Sequence, residues 1–127
     1  MLKVTYLESG LYLEVLQDTI EEWIALRVVL GVRLGQRLVV EQTSASLLLP
    51  IDLVKAARLE AIMQTEAAII ITVCDAHDCE ISLPGTWISS SADATEGVFV
   101  TVLNTAIEQV LLQVWQASQV QASSIWR

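Results

Sequence analysis

Lys3-Val4-Thr5-Tyr6-Leu7-Glu8-Ser9-Gly10-Leu11-Tyr12-Leu13-Glu14-Val15-Leu16 is the stretch whose reading decides the fold. β-Branched and aromatic residues alternate with polar ones on both sides of Glu8-Ser9-Gly10, a short turn containing glycine. That pattern predicts an antiparallel hairpin, with Lys3–Leu7 and Leu11–Leu16 as its strands. The period then changes. Asp18-Thr19 precedes a run from Thr19 to Leu34 whose apolar residues recur at helical spacing. Thr19-x-x-Glu22 reads as a capping box, and Asp18-x-x-Glu21 does so one residue earlier. Acids in the first turn suit the helix dipole, and Gly35 supplies a C-terminal stop. Strand, turn, strand, helix is therefore the first unit of the chain.

Working outward, the same order recurs. A shift of 34 residues lays Lys3-Val4-Thr5-Tyr6 on Arg37-Leu38-Val39-Val40 and Asp18 on Asp52. The same shift lays Leu47-Leu48-Leu49-Pro50 on Ile81-Ser82-Leu83-Pro84, and Thr43-Ser44 on His77-Asp78. The second unit is expected to hold strands Arg37–Gln42 and Ala45–Leu49 around a Thr43-Ser44 turn. Pro50 would close the second of these, and Asp52 would cap a helix from Leu53 to about Thr65. The third has strands Ala68–Cys74 and Cys79–Leu83 around Asp75–Asp78, ended by Pro84-Gly85, with a short strand at Thr86–Ser89.

The C-terminal part is the best-defined amphipathic element. Phe99, Val102, Leu103, Ala106, Ile107, Val110, Leu111 and Val114 recur at three and four residues, with Asn104, Thr105, Glu108, Gln109 and Gln116 on the other side. One helix from about Asp93 to Ser118 is the favoured reading. Val98–Leu103 is also rich in β-formers and has an alternative reading as a strand, followed by Asn104 as cap and Thr105-x-x-Glu108 as capping box. The expected fold is α+β: an antiparallel sheet of about six strands built from three ββα units, helices mainly on one face, and a long C-terminal helix. Residues 1–119 are expected to form a single domain and 120–127 a C-terminal tail.

Totals narrow the function classes. The chain has 127 residues, 54% of them apolar, with only five Gly and two Pro, enough apolar surface to offset the entropy of ordering one domain. A mean hydropathy of +0.54 raises the question of a membrane. The most apolar stretch, Trp23–Leu34, carries Arg27 and Arg33 and falls short of the roughly 20 residues a spanning helix needs. The N-terminus lacks a signal-peptide pattern, so a soluble, cytoplasmic protein is expected. Fifteen acids against seven Lys and Arg give a net charge of −8. That field repels phosphate backbones and anionic lipid, so neither nucleic acid nor membrane is an expected partner.

Candidate chemistry gathers in one place, Cys74-Asp75-Ala76-His77-Asp78-Cys79-Glu80, which holds the only histidine. With Asp75–Asp78 as a four-residue loop, Cys74 and Cys79 would face one another, within reach of a disulfide or of a metal shared with His77. Structural zinc sites use a second, distant ligand pair that this chain lacks, so a solvated turn with packed cysteines is the simpler reading. Asp75 and Asp78 flank His77 too closely to act as a triad acid, and Ser89-Ser90-Ser91 reads as a loop or cap. Gly31 and Gly35 do not form a phosphate loop. No catalytic residue and no cofactor signature emerges, and a binding module is favoured over an enzyme.

Two features suggest binding. Arg27 falls on the first helix's most apolar face, among Ile20, Trp23, Ile24, Leu30 and Leu34. It either stacks on Trp23, reaches the edge of that face or pairs with an acid, or else it holds a small anion or a partner's carboxylate. Trp23 is expected in the core. Trp115 and Leu112, by contrast, fall toward the amide-rich side of the last helix, where Glu108 is the only charge between Gly97 and Trp126. Loss of charge beside retained Trp and Leu is typical of association surfaces. A homodimer with two-fold symmetry is expected, associating through Leu112, Trp115 and the tail residue Trp126, with another protein as a further partner.

Overall fold

In the computed structural model, which describes residues 1–64, 69–73, 76–91 and 93–125, the hairpin forms where the alternation places it. Strands β1 (Leu2–Leu7) and β2 (Gly10–Val15) pair antiparallel, from Leu2 opposite Val15 to Leu7 opposite Gly10. Helix α1 (Ile20–Arg33) follows. The Thr19 hydroxyl accepts the Glu22 N–H at 3.2 Å, half of the expected capping box. Its other end is a Schellman motif. Gly35 takes φ +72°, its N–H donates to the Val32 carbonyl at 3.0 Å, and the Gln36 N–H donates to the Gly31 carbonyl at 2.7 Å.

Beyond α1 the boundaries depart from the ββα expectation. Strand β3 (Val39–Pro50) runs without a break through Thr43-Ser44. A two-residue hairpin needs positive φ that Thr and Ser rarely supply, and hydrogen bonds on either side hold the strand extended. The Gln42 amide donates to the Thr86 hydroxyl, and the Ser46 hydroxyl donates to Glu80, both at 3.0 Å. Asp52 does not cap the next helix: α2 (Ile51–Ala56) starts directly after Pro50 with no side-chain cap. Instead of one helix to Thr65, Arg58 at φ +54° interrupts the chain before α3 (Leu59–Met63). Thr65 itself lies outside the described residues.

Strand β4 (Ile70–Val73) pairs with β5 (Asp78–Ser89), and β5 continues through Pro84-Gly85, where the sequence suggested an end. Pro84 is exposed, so its missing N–H costs little there. Its carbonyl accepts the Thr101 hydroxyl at 2.7 Å. Strand β6 (Gly97–Thr101) realises the strand alternative for Val98–Leu103, in place of a helix from Asp93. It lies between β1 and β5, with Phe99 opposite both Val4 and Trp87. Helix α4 (Thr105–Ile125) then starts as the alternative required. The Asn104 carboxamide oxygen accepts the Ala106 N–H at 2.8 Å, and the Glu108 carboxylate accepts the Leu103 N–H at 3.0 Å. That second bond explains why Glu108, read as solvent-facing, is only 3% exposed. The helix runs on past residue 119.

The result is an α+β fold with a six-stranded antiparallel sheet in the order β2-β1-β6-β5-β3, β4 pairing with β5. Its contacts divide into two compact units, Met1–Ser44 with Pro84–Val102, and Ala45–Leu83 with Leu103–Arg127. In the first, Trp23 of α1 packs with Met1, Ile88 and Val100, and Leu16, Ile20, Ile24 and Leu38 close around them. In the second, Leu47, Leu49, Ile81 and Leu83 of the strands are buried, as are Leu59, Ile107 and Leu111 of the helices.

Candidate functional site on helix α1

Helix α1 places its residues about 100° apart, so Ile20, Trp23, Ile24 and Gly31 point together toward the core. Trp23 and Gly31 are buried as this requires. Gly31 has a steric reason to be small: a Cβ there would sit 3.3 Å from the Leu38 side chain, where the chain doubles back after the helix.

Arg27, one turn beyond Trp23, lies over its ring, with the guanidinium carbon 4.8 Å from the ring centroid. Lys3 of β1 approaches the same ring at 5.7 Å and also pairs with Glu14 at 3.5 Å. Arg27 is exposed, and among the described residues it has no carboxylate within ion-pair distance. The stacking alternative is therefore the one found, and the arginine ends at an open cleft rather than in a closed salt bridge. The cleft measures about 460 Å³ and is walled by Trp23, Arg27, Leu30, Leu34, Leu38 and Ile88. That volume is within the range of small-molecule sites.

The opposite side of α1 is unusual in another way. Leu26, Val29 and Val32 expose 60%, 46% and 69% of their surface, and Val28 is exposed as well. A surface helix normally turns charged residues outward. Here the only charged residues between Trp23 and Leu34 are Arg27 and Arg33. The signal was present in the sequence: a run of Leu and Val on every side of the helix, beyond the stripe a single core needs.

The other candidates are dispersed. Leu112 and Trp115 are half-buried on α4, with the Ser118 hydroxyl donating to the Trp115 carbonyl at 2.6 Å. Trp126 lies outside the described residues. Cys74 and Asp75 do too, while Cys79 is buried on β5 and its thiol donates to the Leu49 carbonyl at 3.6 Å. The register sets Cys79 opposite Val73. His77 is exposed, and its backbone carbonyl accepts the Ile51 N–H at 2.8 Å. Among the described residues no three His, Cys, Asp or Glu side chains gather as a metal-ligand set, and no helix is long and apolar enough to cross a membrane.

Fold and site together define a small α+β protein that displays an apolar helix beside an open cleft. The chain belongs to the Alr0857-like family, whose model matches residues 1–119. No curated protein and no solved structure matches it.

Proposed function

We propose that this protein is a non-enzymatic binding and assembly module whose contact element is α1. One observation carries the reading: three large aliphatic side chains, Leu26, Val29 and Val32, stand in solvent on the side of one helix turned away from its own core. Contiguous exposed apolar surface of that kind marks interaction sites in soluble proteins. The C-terminal helix is the weaker candidate, because Leu112 and Trp115 already bury part of their surface within the chain. The test is a photoreactive side chain placed at Val32 or at Gln113 of α4, irradiated in cells that make the full protein. Covalent adducts of any mass at Val32 are expected. Adducts at Gln113 alone would return the contact to the C-terminal helix, and adducts at neither would remove the assembly role.

A second reading has its own support. Arg27 is in no ion pair among the described residues and lines a largely apolar cleft that Glu96 also lines, and a small amphipathic carboxylate could set its head on the guanidinium. Because Trp23 lines the cleft, titration with decanoate should change its fluorescence saturably in wild type and not in Arg27→Met. A linear, non-saturating response in both proteins would dismiss it.

A further inference from the structure

Counted around α1, Glu22, Leu26, Val29 and Arg33 are spaced by four, three and four residues and fall within about 60° of arc. All four are exposed. The stripe lies nearly opposite the side that buries Trp23 and Gly31, so it faces away from the core of its unit. Read along the helix it is acid, aliphatic, aliphatic, base.

That order is complementary to its own reverse. A second α1 laid antiparallel, with a two-fold axis crossing between Arg27 and Val28, puts Leu26 against Val29 of the other copy. The same operation puts Glu22 against Arg33 at both ends. A two-fold interface requires this property, because one patch must match itself after rotation. Ala25, small and exposed, stands beside the stripe, where two helix backbones would approach. The end charges also suit the arrangement: each acid is at a helix N-terminus and each base at a C-terminus, where the dipole favours them.

From this self-complementary stripe we infer that the partner of α1 is a second copy of the chain, docked as an antiparallel α1–α1 pair. The inference rests on the assembly reading above and adds the identity and orientation of the partner. Parallel pairing would set Glu22 beside Glu22 and Arg33 beside Arg33. Partners of a different chemistry, such as an acidic or amphipathic helix of another protein, have no reason to require acid and base at mirrored ends.

The test uses the full-length protein, with mass measured by light scattering after size exclusion across a micromolar concentration series. Wild type is expected at twice the monomer mass. Glu22→Arg and Arg33→Glu each replace two attractions by two repulsions, and each should weaken the dimer about tenfold. The double variant Glu22→Arg/Arg33→Glu should recover to within a few-fold of wild type. That recovery also controls for folding, since changes to the helix dipole alone would accumulate in the double variant. Leu26→Glu should give a monomer with an unchanged far-ultraviolet spectrum. A wild type monomeric throughout overturns the inference, as does a dimer indifferent to both single reversals. A monomer that still forms adducts with other proteins at Val32 overturns it while leaving the assembly reading standing.

Discussion

Replacing Gly85 by alanine is the sharpest test of the fold on which α1 rests. A Cβ at this position would lie 2.4 Å from the Val100 carbonyl oxygen and 2.5 Å from Cζ of Phe99, which is fully buried. Gly97 shows the mirror arrangement, with its absent Cβ 2.7 Å from the Trp87 ring. In each case an aromatic ring of the neighbouring strand lies diagonally across a glycine. Adding a methyl group there forces the β6 backbone to move as well as a buried ring. The cost should lie near the upper end of the overpacking range, about 3 kcal/mol, less about 0.5–1 kcal/mol regained because alanine restricts the unfolded chain. A net loss of about 2 kcal/mol follows. With about 2.1 cal/mol/K of unfolding entropy per residue and 127 residues, that lowers Tm by about 7 °C. Thermal unfolding followed by circular dichroism reads this directly. Combining Gly85→Ala with Phe99→Leu should cost less than the sum of the two, because the smaller side chain frees space on one side. A Gly85→Ala protein as stable as wild type would refute the reasoning, and would mean that Pro84-Gly85 ends the strand after all.

Glu108→Ala should destabilise by about 1–3 kcal/mol, since it leaves the Leu103 N–H without its carboxylate acceptor in a part-buried site; urea unfolding that matches wild type would contradict this. Gly35→Ala meets no atom within 4 Å but must adopt φ +72°. It should cost about 1–2 kcal/mol through backbone strain alone, a loss that replacement by Asn largely avoids. Burial raises the Tyr6 pKa above its ordinary 10.0, beside the Trp87 ring at 5.5 Å. The unfolded chain therefore loses that proton first. The contribution is intact below pH 10 and is lost as pH rises through the elevated folded value, so Tyr6→Phe should unfold less readily than wild type in alkali. Arg27→Met removes an exposed cation–π contact worth about 0.5–1 kcal/mol. It should shift Trp fluorescence while changing Tm by no more than a few degrees.

Local chemistry made some of this architecture legible and hid the rest for identifiable reasons. The first hairpin and α1 could be read because alternation, an N-terminal Thr and a C-terminal Gly all pointed the same way, and Thr19 and Gly35 do what their side chains suggest. Thr43-Ser44 and Pro84-Gly85 misled because turn propensity is a local statement, while both dipeptides are held extended by partners 17 to 44 residues away in sequence. The Phe99–Val114 spacing fits a helix on both sides of Asn104. Only the pairing of β6 with β1 and β5 shows that Phe99–Thr101 belong to a strand. Helical spacing put Glu108 on the polar side, and only the capping-box alternative gave it the task it has, accepting a backbone N–H at the start of α4. Arg27 was found because a charge within an apolar stripe is conspicuous. Leu26, Val29 and Val32 went unnoticed because each is ordinary in a helix, and only their common exposure makes them a surface.

The excess of apolar residues can now be assigned to particular positions. Leu2, Val4, Phe99, Leu47 and Leu49 of β3, Ile81 and Leu83 of β5, and Ile107 and Leu111 of α4 are fully buried and belong to cores that a chain of this size requires. Those residues therefore give no reason to expect a partner. The half-buried Leu112 and Trp115 give little more, since part of each is already removed from water. What remains is α1. Its inward side has its core in Trp23, Ile20 and Ile24, so the outward aliphatics add nothing to that packing. Lysine or glutamate at positions 26, 29 and 32 would keep the helix equally well formed by propensity, and would improve it in the case of the two valines. An isolated molecule would gain solubility from such residues. Aliphatic side chains at these positions serve contact better than they serve the fold, which is why the assembly argument belongs to α1 and why Leu26→Glu should separate the two roles.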